Sequence, residues 1–575
     1  MKCLLVAVNA KYIHSNLGVY SLKRFADQSL QESSDMVIEI GEYTINHQLE
    51  QILQDIYKRK PDIIGFSCYI WNMDYVEKLV RDVKKVLPDV RIWLGGPEVS
   101  YDAPAMLEKL PEICGIMAGE GEETFASLME YYRDRRPEEA LREIPGLAVR
   151  KVDGTVFFTK TRPIMDMSRL PFSYENLEDF EHRIIYYESS RGCPYSCSYC
   201  LSSIDKSVRF RDLSLVEQEL AYFLEHRVPQ VKFVDRTFNC KKSHAMAIWK
   251  YILEHDNGVT NFHFEISADL LGEEELELLA QMRPGLVQLE IGVQTTNPDT
   301  IREIRRKMDL EKLSDVVARI QEGRNIHQHL DLIAGLPFEG FASFQNSFND
   351  VYAMRPEQLQ MGFLKVLKGS YMAQMAEEYG LVYRSEPPYE VLSTKWLSYE
   401  EILRLKAVEE MVEVYYNSGQ FGTTISMLEQ EFASPYEMFE ALADDYETKG
   451  LFRMNHNRIA RYEILFHFIE ERFPKRLEEY RDSLMYDLYL RENVKSRPSF
   501  ARDQAAFKTE IRDFFIAEGK QARYLQGYEG YDSRQMSKMA HIEVMGDGSF
   551  LLFDYLNREP LHHNARAVKV LTGGC

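Results

Sequence analysis

The chain has 575 residues, and its 69 basic and 90 acidic side chains give a formal net charge of −21. That length predicts several domains, and the negative field disfavours binding to nucleic acid or to anionic lipid. No apolar run approaches the roughly 20 residues of a membrane span, so we expect a cytoplasmic protein without membrane contacts.

The first part of the chain alternates short apolar runs with amphipathic stretches, which is typical of repeated strand-helix units. Helical patterns include residues 74–86 and 124–133. Strands are predicted at residues 2–8, 36–39, 63–67, 91–94 and 115–118. We therefore predict a doubly wound, Rossmann-like α/β domain over residues 1–140.

A different texture follows this domain. The run 147–158 is split by Asp153-Gly154, a strong hairpin signal. The next segment contains Pro163 and Pro171 and has no sustained period. Residues 141–180 are therefore interpreted as a hairpin and a linker.

A second strand-helix alternation begins near residue 181. Its predicted strands are 185–189, 231–234, 261–266, 286–293, 329–333 and 359–366. Six such units predict a partial (β/α)6 barrel over residues 181–380.

The last third of the chain is dominated by long helical patterns, such as residues 399–416 and 470–490. Short strand patterns at 541–545, 550–555 and 567–571 end the chain. We predict a mainly helical C-terminal domain over residues 381–575 with a small terminal β-element.

Three of the eight cysteines, Cys193, Cys197 and Cys200, lie within eight consecutive residues after a predicted strand. In a reducing compartment such crowding indicates a metal site rather than disulfides. Structural zinc sites usually add a fourth Cys or His, and none lies close by in sequence. Three thiolates can also hold an iron-sulfur cluster that keeps one iron open to a ligand.

The spacing Cys-x-x-x-Cys-x-x-Cys resembles that of the radical S-adenosylmethionine (SAM) superfamily. The resemblance implies a 4Fe-4S cluster that binds SAM and cleaves it reductively to a 5′-deoxyadenosyl radical. It also places Tyr199, which precedes the last cysteine, near the adenine of SAM.

Further cofactor residues are implied by the same resemblance, at the strand ends where barrel sites collect. Asp235 would hold the methionine amino group, and Glu265 and Ser267 would contact the ribose. Gln294 stands where many relatives have Glu, and Gly335 would approach the adenine. Each residue also has a structural alternative, such as a cap, a surface position or a turn.

Three arginines, Arg302, Arg305 and Arg306, follow the helix-start pair Asn297-Pro298. We expect all but one of them to lie on a solvated helix face.

The loops after the strands of the first domain carry the residues expected to bind a ligand there. They include Ser67, the pair Gly95-Gly96 and the pair Gly119-Glu120. No G-x-G-x-x-G pattern follows the first strand, which disfavours a dinucleotide. The set resembles the cobalamin-binding domain of one radical SAM subfamily, and the resemblance implies that these residues contact cobalamin.

His14 lies in the loop where many cobalamin proteins place the lower axial ligand of the cobalt. The Asp-x-His-x-x-Gly pattern of those proteins is absent, because position 12 is Tyr and position 17 is Leu. His14 therefore remains a candidate ligand, and an unligated or water-bound lower face is favoured.

Taken together, the chain resembles cobalamin-dependent radical SAM enzymes, in a subgroup whose helical C-terminal domain has no known substrate. The resemblance implies methylation of an unactivated carbon in a small-molecule or natural-product substrate. It also implies a reductant such as flavodoxin or ferredoxin. A radical rearrangement or cyclisation without methyl transfer, and a cobalamin and iron-sulfur sensor or scaffold, remain alternatives.

Overall fold

The computed structural model describes residues 1–30 and 35–570. Its first part is built on one sheet. The strands are β1 (Lys2–Asn9), β2 (Val37–Thr44), β3 (Ile63–Ser67), β4 (Arg91–Gly95), β5 (Gly115–Met117), β6 (Leu147–Arg150) and β7 (Val156–Phe158). They lie in the order β2-β1-β3-β4-β5-β6-β7. The first five strands are parallel, and β6 and β7 are antiparallel to their neighbours.

Helices cover both faces of this sheet. They are α1 (Leu17–Ser29), α2 (Leu49–Arg59), α3 (Met73–Val86), α4 (Pro97–Ser100), α5 (Ala103–Lys109) and α6 (Glu122–Arg133). Alternate residues of β1 enter different cores: Leu5 shares one with Phe125 of α6, and Leu4 shares the other with Val80 of α3. Such two-sided burial defines a doubly wound sheet and confirms the predicted fold of this part.

The hairpin predicted at residues 147–158 is present as strands β6 and β7. Strand β6 pairs with β5 along Gly115 to Met117, so the hairpin extends the first sheet. The predicted boundary at residue 140 therefore falls inside the sheet. Sequence periodicity finds the hairpin, whereas its partner strand is set by packing.

The second part contains a parallel sheet with helices on its outer side. Its strands are β8 (Ile185–Tyr187), β9 (Ser190–Arg191), β10 (Arg209–Phe210), β11 (Gln230–Phe233), β12 (Asn261–Ile266), β13 (Val287–Gln294), β14 (His327–Ala334) and β15 (Gln358–Phe363). Six of them form the order β15-β14-β13-β12-β11-β8, and β9 pairs with β10. The helices are α7 (Leu213–Glu225), α8 (Lys242–Glu254), α9 (Glu273–Leu279), α10 (Pro298–Glu303), α11 (Leu310–Gly323) and α12 (Phe341–Ala353).

The two faces of this sheet differ in polarity. On β12, Phe262 and Phe264 belong to the apolar core, whereas His263 pairs with Glu290 of β13 and Glu265 lines a cavity. Since side chains alternate along a strand, the concave side of the partial barrel is polar. This arrangement confirms the predicted partial barrel.

The C-terminal part is mainly helical. Its elements are α13 (Tyr371–Gln374), β16 (Val382–Tyr383), β17 (Val391–Ser393), α14 (Tyr399–Val412), α15 (Gly422–Leu428), α16 (Pro435–Thr448), α17 (Arg458–Arg472), α18 (Leu477–Arg491), α19 (Lys508–Lys520), α20 (Ser533–Met539), β18 (Ala540–Val544), β19 (Phe550–Asp554) and β20 (Arg566–Val570). The last three strands form an antiparallel sheet, as predicted. The predicted end of the last strand, Leu571, lies outside the described residues.

One helix prediction in this part is wrong. The pattern over residues 470–490 belongs to two helices: α17 ends at Arg472, and α18 begins at Leu477. Pro474 stands between them, and proline lacks the N–H that a continuous helix requires. Nowhere in the described ranges does a helix have the length and apolar character needed to span a bilayer.

Ion pairs connect the first sheet to the barrel. Arg191 binds Glu122 over 2.8 Å, and Arg209 binds Glu120 over 2.5 Å. Arg183 binds Glu42 nearer the other end of the sheet. The loops at the carboxyl edge of the first sheet therefore face the barrel.

Candidate functional site

The loop of the three cysteines follows β8 and β9 at the carboxyl end of the barrel strands. Cys193 and Cys197 are buried, and Cys200 is half-buried. Gly192 begins the loop with φ +95°, and a Cβ there would lie 2.5 Å from the Ser207 carbonyl oxygen. Only glycine fits this position without displacing the backbone, so the entry into the loop is conformationally fixed.

Backbone hydrogen bonds hold the middle of this loop. The N–H of Ser198 donates to the carbonyl of Ile304 over 2.9 Å, and its own carbonyl accepts from the N–H of Met372 over 2.8 Å. Ser198 is buried. The residue between Cys197 and Tyr199 is thus fixed by two other segments of the chain.

Asp235 supports the strand that leads into the loop. Its carboxylate accepts hydrogen bonds from the Ser189 N–H at 3.0 Å, the Ser189 hydroxyl at 2.7 Å and the Ser190 hydroxyl at 2.5 Å. Complete burial raises the pKa of Asp235 to about 6, although these donors oppose the rise. Asp235 does not line the cavity next to the cysteines, so its predicted contact with the methionine amino group stays a prediction.

A cavity of about 190 Å³ lies against the cysteine loop. It brings together many residues singled out from the sequence, namely Cys193, Cys197, Cys200, Tyr199, Glu265, Ser267 and Gln294. Gly335 lies elsewhere, and a Cβ there would meet Val391 of β17 at 2.7 Å. In the described part of the chain, no other cysteine and no histidine lines this cavity.

The donor set around this cavity fits a cluster better than a single zinc ion. A structural zinc site needs a fourth ligand, usually Cys or His. Three thiols around one cavity, without a fourth Cys or His, therefore fit an iron-sulfur cluster with one open iron.

Arg306 is the main cavity residue that sequence patterns did not single out for the site. Its Nη1 donates to the Tyr199 hydroxyl over 3.3 Å and lies 3.9 Å from the Cys197 thiol, and its Nη2 donates to the Gly292 carbonyl. Burial raises the pKa of the Cys197 thiol, and the Arg306 charge counteracts this effect. Arg302 and Arg305 are exposed, as expected, and Arg306 is the one arginine of the three that lines the cavity. Arg306 is far from the cysteine loop in sequence, so no local motif could predict their contact.

Gln294 points into the cavity from an irregular strand end. Its φ of +74° is rare for a residue with a side chain, and the pairing of β13 with β14 shifts between Gly292 and Gln294. A Cβ on Gly292 would lie 2.3 Å from the Gln294 Nε2. The side chain therefore folds over a glycine, and such strained positions cluster at functional sites.

Carboxylates form the wall of the cavity that faces the barrel interior. Glu265, Glu290 and Asp331 all line it. Burial raises the pKa of Glu265 to about 7. Burial acts in the same direction on Glu290, but the His263 ring at 3.0 Å and a hydrogen bond from Lys232 at 2.9 Å outweigh it and lower the pKa of that carboxyl. The wall thus combines the ionised carboxylate of Glu290 with the Glu265 carboxyl, whose pKa is close to 7.

The loops of the first domain form a second candidate surface, opposite the barrel. Gly96 has φ +116°, and a Cβ there would lie 2.4 Å from the Cys68 carbonyl oxygen. Gly119, by contrast, is exposed, and its backbone is open to a ligand, with no atom within 4 Å of a Cβ. The Asn16 amide donates to the Ser67 hydroxyl over 3.3 Å. Gly95 makes ordinary contacts with Met117.

Exposed aromatic rings accompany these glycines, a feature that sequence patterns did not single out. Tyr69 and Trp71 stack with ring centroids 4.4 Å apart in the loop after β3. Tyr12, Trp71 and Tyr101 are 60%, 42% and 45% exposed. Exposed rings beside open backbone form a surface that suits a large, flat ligand such as cobalamin.

Two predicted cobalamin residues contact the barrel instead of standing free. The Nδ1 of His14 shares a hydrogen bond with the Tyr186 hydroxyl over 2.7 Å, and burial lowers the pKa of His14. Glu120 accepts from the Met165 N–H over 3.0 Å, beside its ion pair with Arg209. Both residues belong to the domain interface, and their contacts with a cofactor stay predictions.

Comparison with known families matches this geometry. Residues 4–129 match the family described as "B12 binding domain", and residues 187–351 match the "Radical SAM superfamily". The chain carries a B12-binding domain followed by a radical SAM domain. Residues 377–557, in the C-terminal part, match the family described as "Protein of unknown function (DUF4080)".

Two named proteins are similar to part of this chain. The cobalamin-dependent radical SAM methyltransferase TokK of Streptomyces tokunonensis is 27% identical over 345 residues, or 56% of this chain and 50% of TokK. The anaerobic magnesium-protoporphyrin IX monomethyl ester cyclase of Rubrivivax gelatinosus is 23% identical over 331 residues, or 56% of this chain and 59% of that protein. The chain therefore spans little more than half the length of these relatives.

A solved structure extends the similarity in fold. The cobalamin-dependent SAM radical enzyme OxsB, solved with aqua-cobalamin and SAM bound, has a TM-score of 0.59 at 15% identity. The match covers 85% of this chain and 83% of OxsB. The fold is therefore shared over most of both chains. The B12-binding and radical SAM domains of this chain imply a 4Fe-4S cluster, SAM and cobalamin as cofactors.

Proposed function

We propose that this protein is a cobalamin-dependent radical SAM enzyme that methylates an unactivated carbon of a small-molecule substrate. The observation that carries the proposal is the cavity lined by Cys193, Cys197 and Cys200, with no fourth Cys or His among the described lining residues. The B12-binding domain turns its carboxyl edge toward this barrel, so the two cofactor surfaces lie on neighbouring sides of one space.

The cofactors supply the chemistry that protein side chains lack. When bound, the cluster and SAM supply a carbon-centred radical, and cobalamin supplies a methyl group. The three thiolates would hold the cluster, and Tyr199, Glu265, Ser267 and Gln294 would hold SAM. The loops around Ser67, Gly96 and Gly119 would hold cobalamin.

The chain's own residues position these groups and exclude water. Arg306 holds the Tyr199 hydroxyl and lies against the Cys197 thiol, so one guanidinium orients a cluster ligand and an aromatic ring. The half-buried ion pairs of Arg191 and Arg209 keep the two domains together beside the cavity. A closed interface of this kind would exclude water, and the exclusion of water protects a reactive radical from side reactions.

The likeness to a named methyltransferase, TokK, supports methyl transfer. The likeness to a named cyclase supports a second candidate, a radical cyclisation without methyl transfer. Isotope labelling separates the two, because only the first moves a methyl group from SAM to the product.

The test uses anaerobic protein with reconstituted cluster and cobalamin, dithionite, cell extract as the source of substrate, and SAM with a trideuterated methyl group. Methylation predicts 5′-deoxyadenosine, S-adenosylhomocysteine and a product heavier by the labelled methyl group. Cyclisation predicts 5′-deoxyadenosine without S-adenosylhomocysteine. If neither nucleoside forms, the enzyme proposal is wrong and a sensor or scaffold is favoured.

A further inference from the structure

A basic surface lies beside the cysteine loop of this acidic chain. The segment 301–307 contains four basic residues and one acidic residue, in a protein with a net charge of −21. Arg302, Arg305 and Lys307 of this segment are exposed. We call these three, together with exposed Lys206, the basic patch.

The basic patch is joined to the loop by short contacts. The carbonyl of Ile304, in the middle of the segment 301–307, accepts from the N–H of Ser198 over 2.9 Å. On the other side, the Cys193 N–H donates to the Asp205 carbonyl over 3.3 Å, and Asp205 precedes Lys206. Both segments that carry the patch therefore contact residues at or next to cysteines of the cavity.

The charges of the patch are largely free to meet a partner. Within the described ranges, neither Lys206 nor Lys307 forms an ion pair. Arg305 lies over the Tyr371 ring with 3.6 Å between the guanidinium carbon and the ring centroid, which leaves its charge uncancelled. Arg302 meets Asp299 over 3.1 Å, but both side chains are mostly exposed, and such pairs are weak.

We propose that the basic patch docks an acidic one-electron carrier protein that delivers electrons to the cluster. This inference rests on the proposed function, because reductive cleavage of SAM consumes one electron. The carrier loses that electron and is oxidised, and the cluster gains it before the carbon–sulfur bond of SAM breaks. A surface of opposite sign steers the carrier to the edge of the cysteine loop.

A small anionic substrate is a less suitable occupant of this surface. Substrate needs access to the space between the barrel and the B12-binding domain, where the carboxylates of Glu265, Glu290 and Asp331 line the cavity. Lys206, Arg302 and Arg305 of the basic patch do not line the cavity. They lie on the segments that contact the loop at Ser198 and Cys193. A carrier needs only to approach the cluster from outside.

The experiment measures the rate at which flavodoxin hydroquinone, an acidic flavoprotein, reduces the cluster of the full-length protein. The test variant combines Lys206→Glu, Arg302→Glu and Arg305→Glu, and it leaves Lys307 unchanged because Lys307 lines the cavity. The matched control combines Lys495→Glu, Lys508→Glu and Arg512→Glu, which makes the same charge change at exposed positions of the C-terminal part.

We expect reduction by flavodoxin to be at least about tenfold slower in the patch variant, because favourable charges raise association rates by at least that factor. The control variant should stay within about twofold of the wild type. Unchanged reduction of the patch variant, or equal slowing of both variants, would overturn the docking surface.

Two further measurements keep the result specific. In the wild type, reduction by flavodoxin should slow as ionic strength rises from about 0.01 M to about 1 M, where the screening length falls from about 30 Å to about 3 Å. A rate independent of salt would also overturn the proposal. Dithionite bypasses docking, so wild-type protein that yields no 5′-deoxyadenosine with dithionite contradicts the proposed function rather than the docking surface.

Discussion

Arg306 donates a hydrogen bond to the hydroxyl of Tyr199 over 3.3 Å. The same nitrogen lies 3.9 Å from the thiol of Cys197. One half-buried cation therefore spans a proposed cluster ligand and the ring proposed to face the adenine of SAM.

Replacing this cation should impair the site without emptying it. We expect Arg306→Gln to retain iron and sulfide but to lower dithionite-driven formation of 5′-deoxyadenosine by about 10- to 100-fold, the usual cost of losing a residue that orients a metal ligand. The reduced cluster should also show a changed electron paramagnetic resonance spectrum. Arg319→Gln, on the outer helix α11, serves as the control, and equal losses in both variants would refute the positioning role.

The cysteine triad predicts a selective loss of the cluster. Cys197→Ala should abolish bound iron and sulfide while cobalamin stays bound, because the B12-binding domain has its own core. Cys240→Ala is the control, since Cys240 does not line the cavity. Iron and sulfide contents and the cobalamin absorbance are measured. Iron retained in the first variant, or lost in the second, would show that the cluster is misplaced.

Gly96 and Gly119 separate steric from conformational strain. Both have positive φ, but a Cβ at Gly96 would lie 2.4 Å from the Cys68 carbonyl oxygen, whereas Gly119 has open space. We expect Gly119→Ala to cost about 1 kcal/mol through its φ alone, and Gly96→Ala to cost at least about 2 kcal/mol more. Thermal unfolding measures both, and equal costs would contradict this difference.

Glu265 predicts a pH-dependent stability. Its folded pKa of about 7 lies above its ordinary value of 4.5, so folding favours the neutral form. Below pH 4.5 both states are protonated and nothing is lost; as pH rises through 7, stability on the order of 2 kcal/mol is lost. In the cofactor-free protein, Glu265→Gln should therefore raise the melting temperature above that of the wild type at pH 8, and by less at pH 4. An equal effect at both pH values would refute the shift.

His14 predicts a negative result. Its Nδ1 already shares a hydrogen bond with Tyr186, and the residues around it lack the usual ligand pattern, so we expect the cobalt to lack a histidine ligand. The electron paramagnetic resonance spectrum of cob(II)alamin bound to His14→Ala should match that of the wild type. Nitrogen splitting that is present in the wild type and lost in the variant would establish ligation.

The fold was largely predictable because buried strands leave a strong pattern. The predicted strand at residues 261–266 has the observed bounds of β12, since Phe262 and Phe264 alternate with polar residues. The break at Pro474 was also readable from the sequence, but the charged and aromatic run around it resembled one helix. The partner of β6 was not readable, because strand pairing depends on packing between distant segments.

The site was only partly predictable, because it too depends on packing between segments that are distant in sequence. The cysteines are close in sequence, so their spacing reveals them. Arg306 reaches Cys197 only because the end of α10 packs against the loop through Ile304. Conversely, Asp235 has the expected place in the sequence, but its carboxylate is engaged by Ser189 and Ser190.

The central claim is that three protein thiolates leave one iron of the cluster open to SAM. Electron-nuclear double resonance on the reduced cluster, with SAM carrying a ¹⁵N-labelled amino group, tests this most directly. The account predicts a hyperfine coupling from the labelled nitrogen that is absent with unlabelled SAM. A cluster whose signal shows no such coupling and does not change when SAM is added would contradict it.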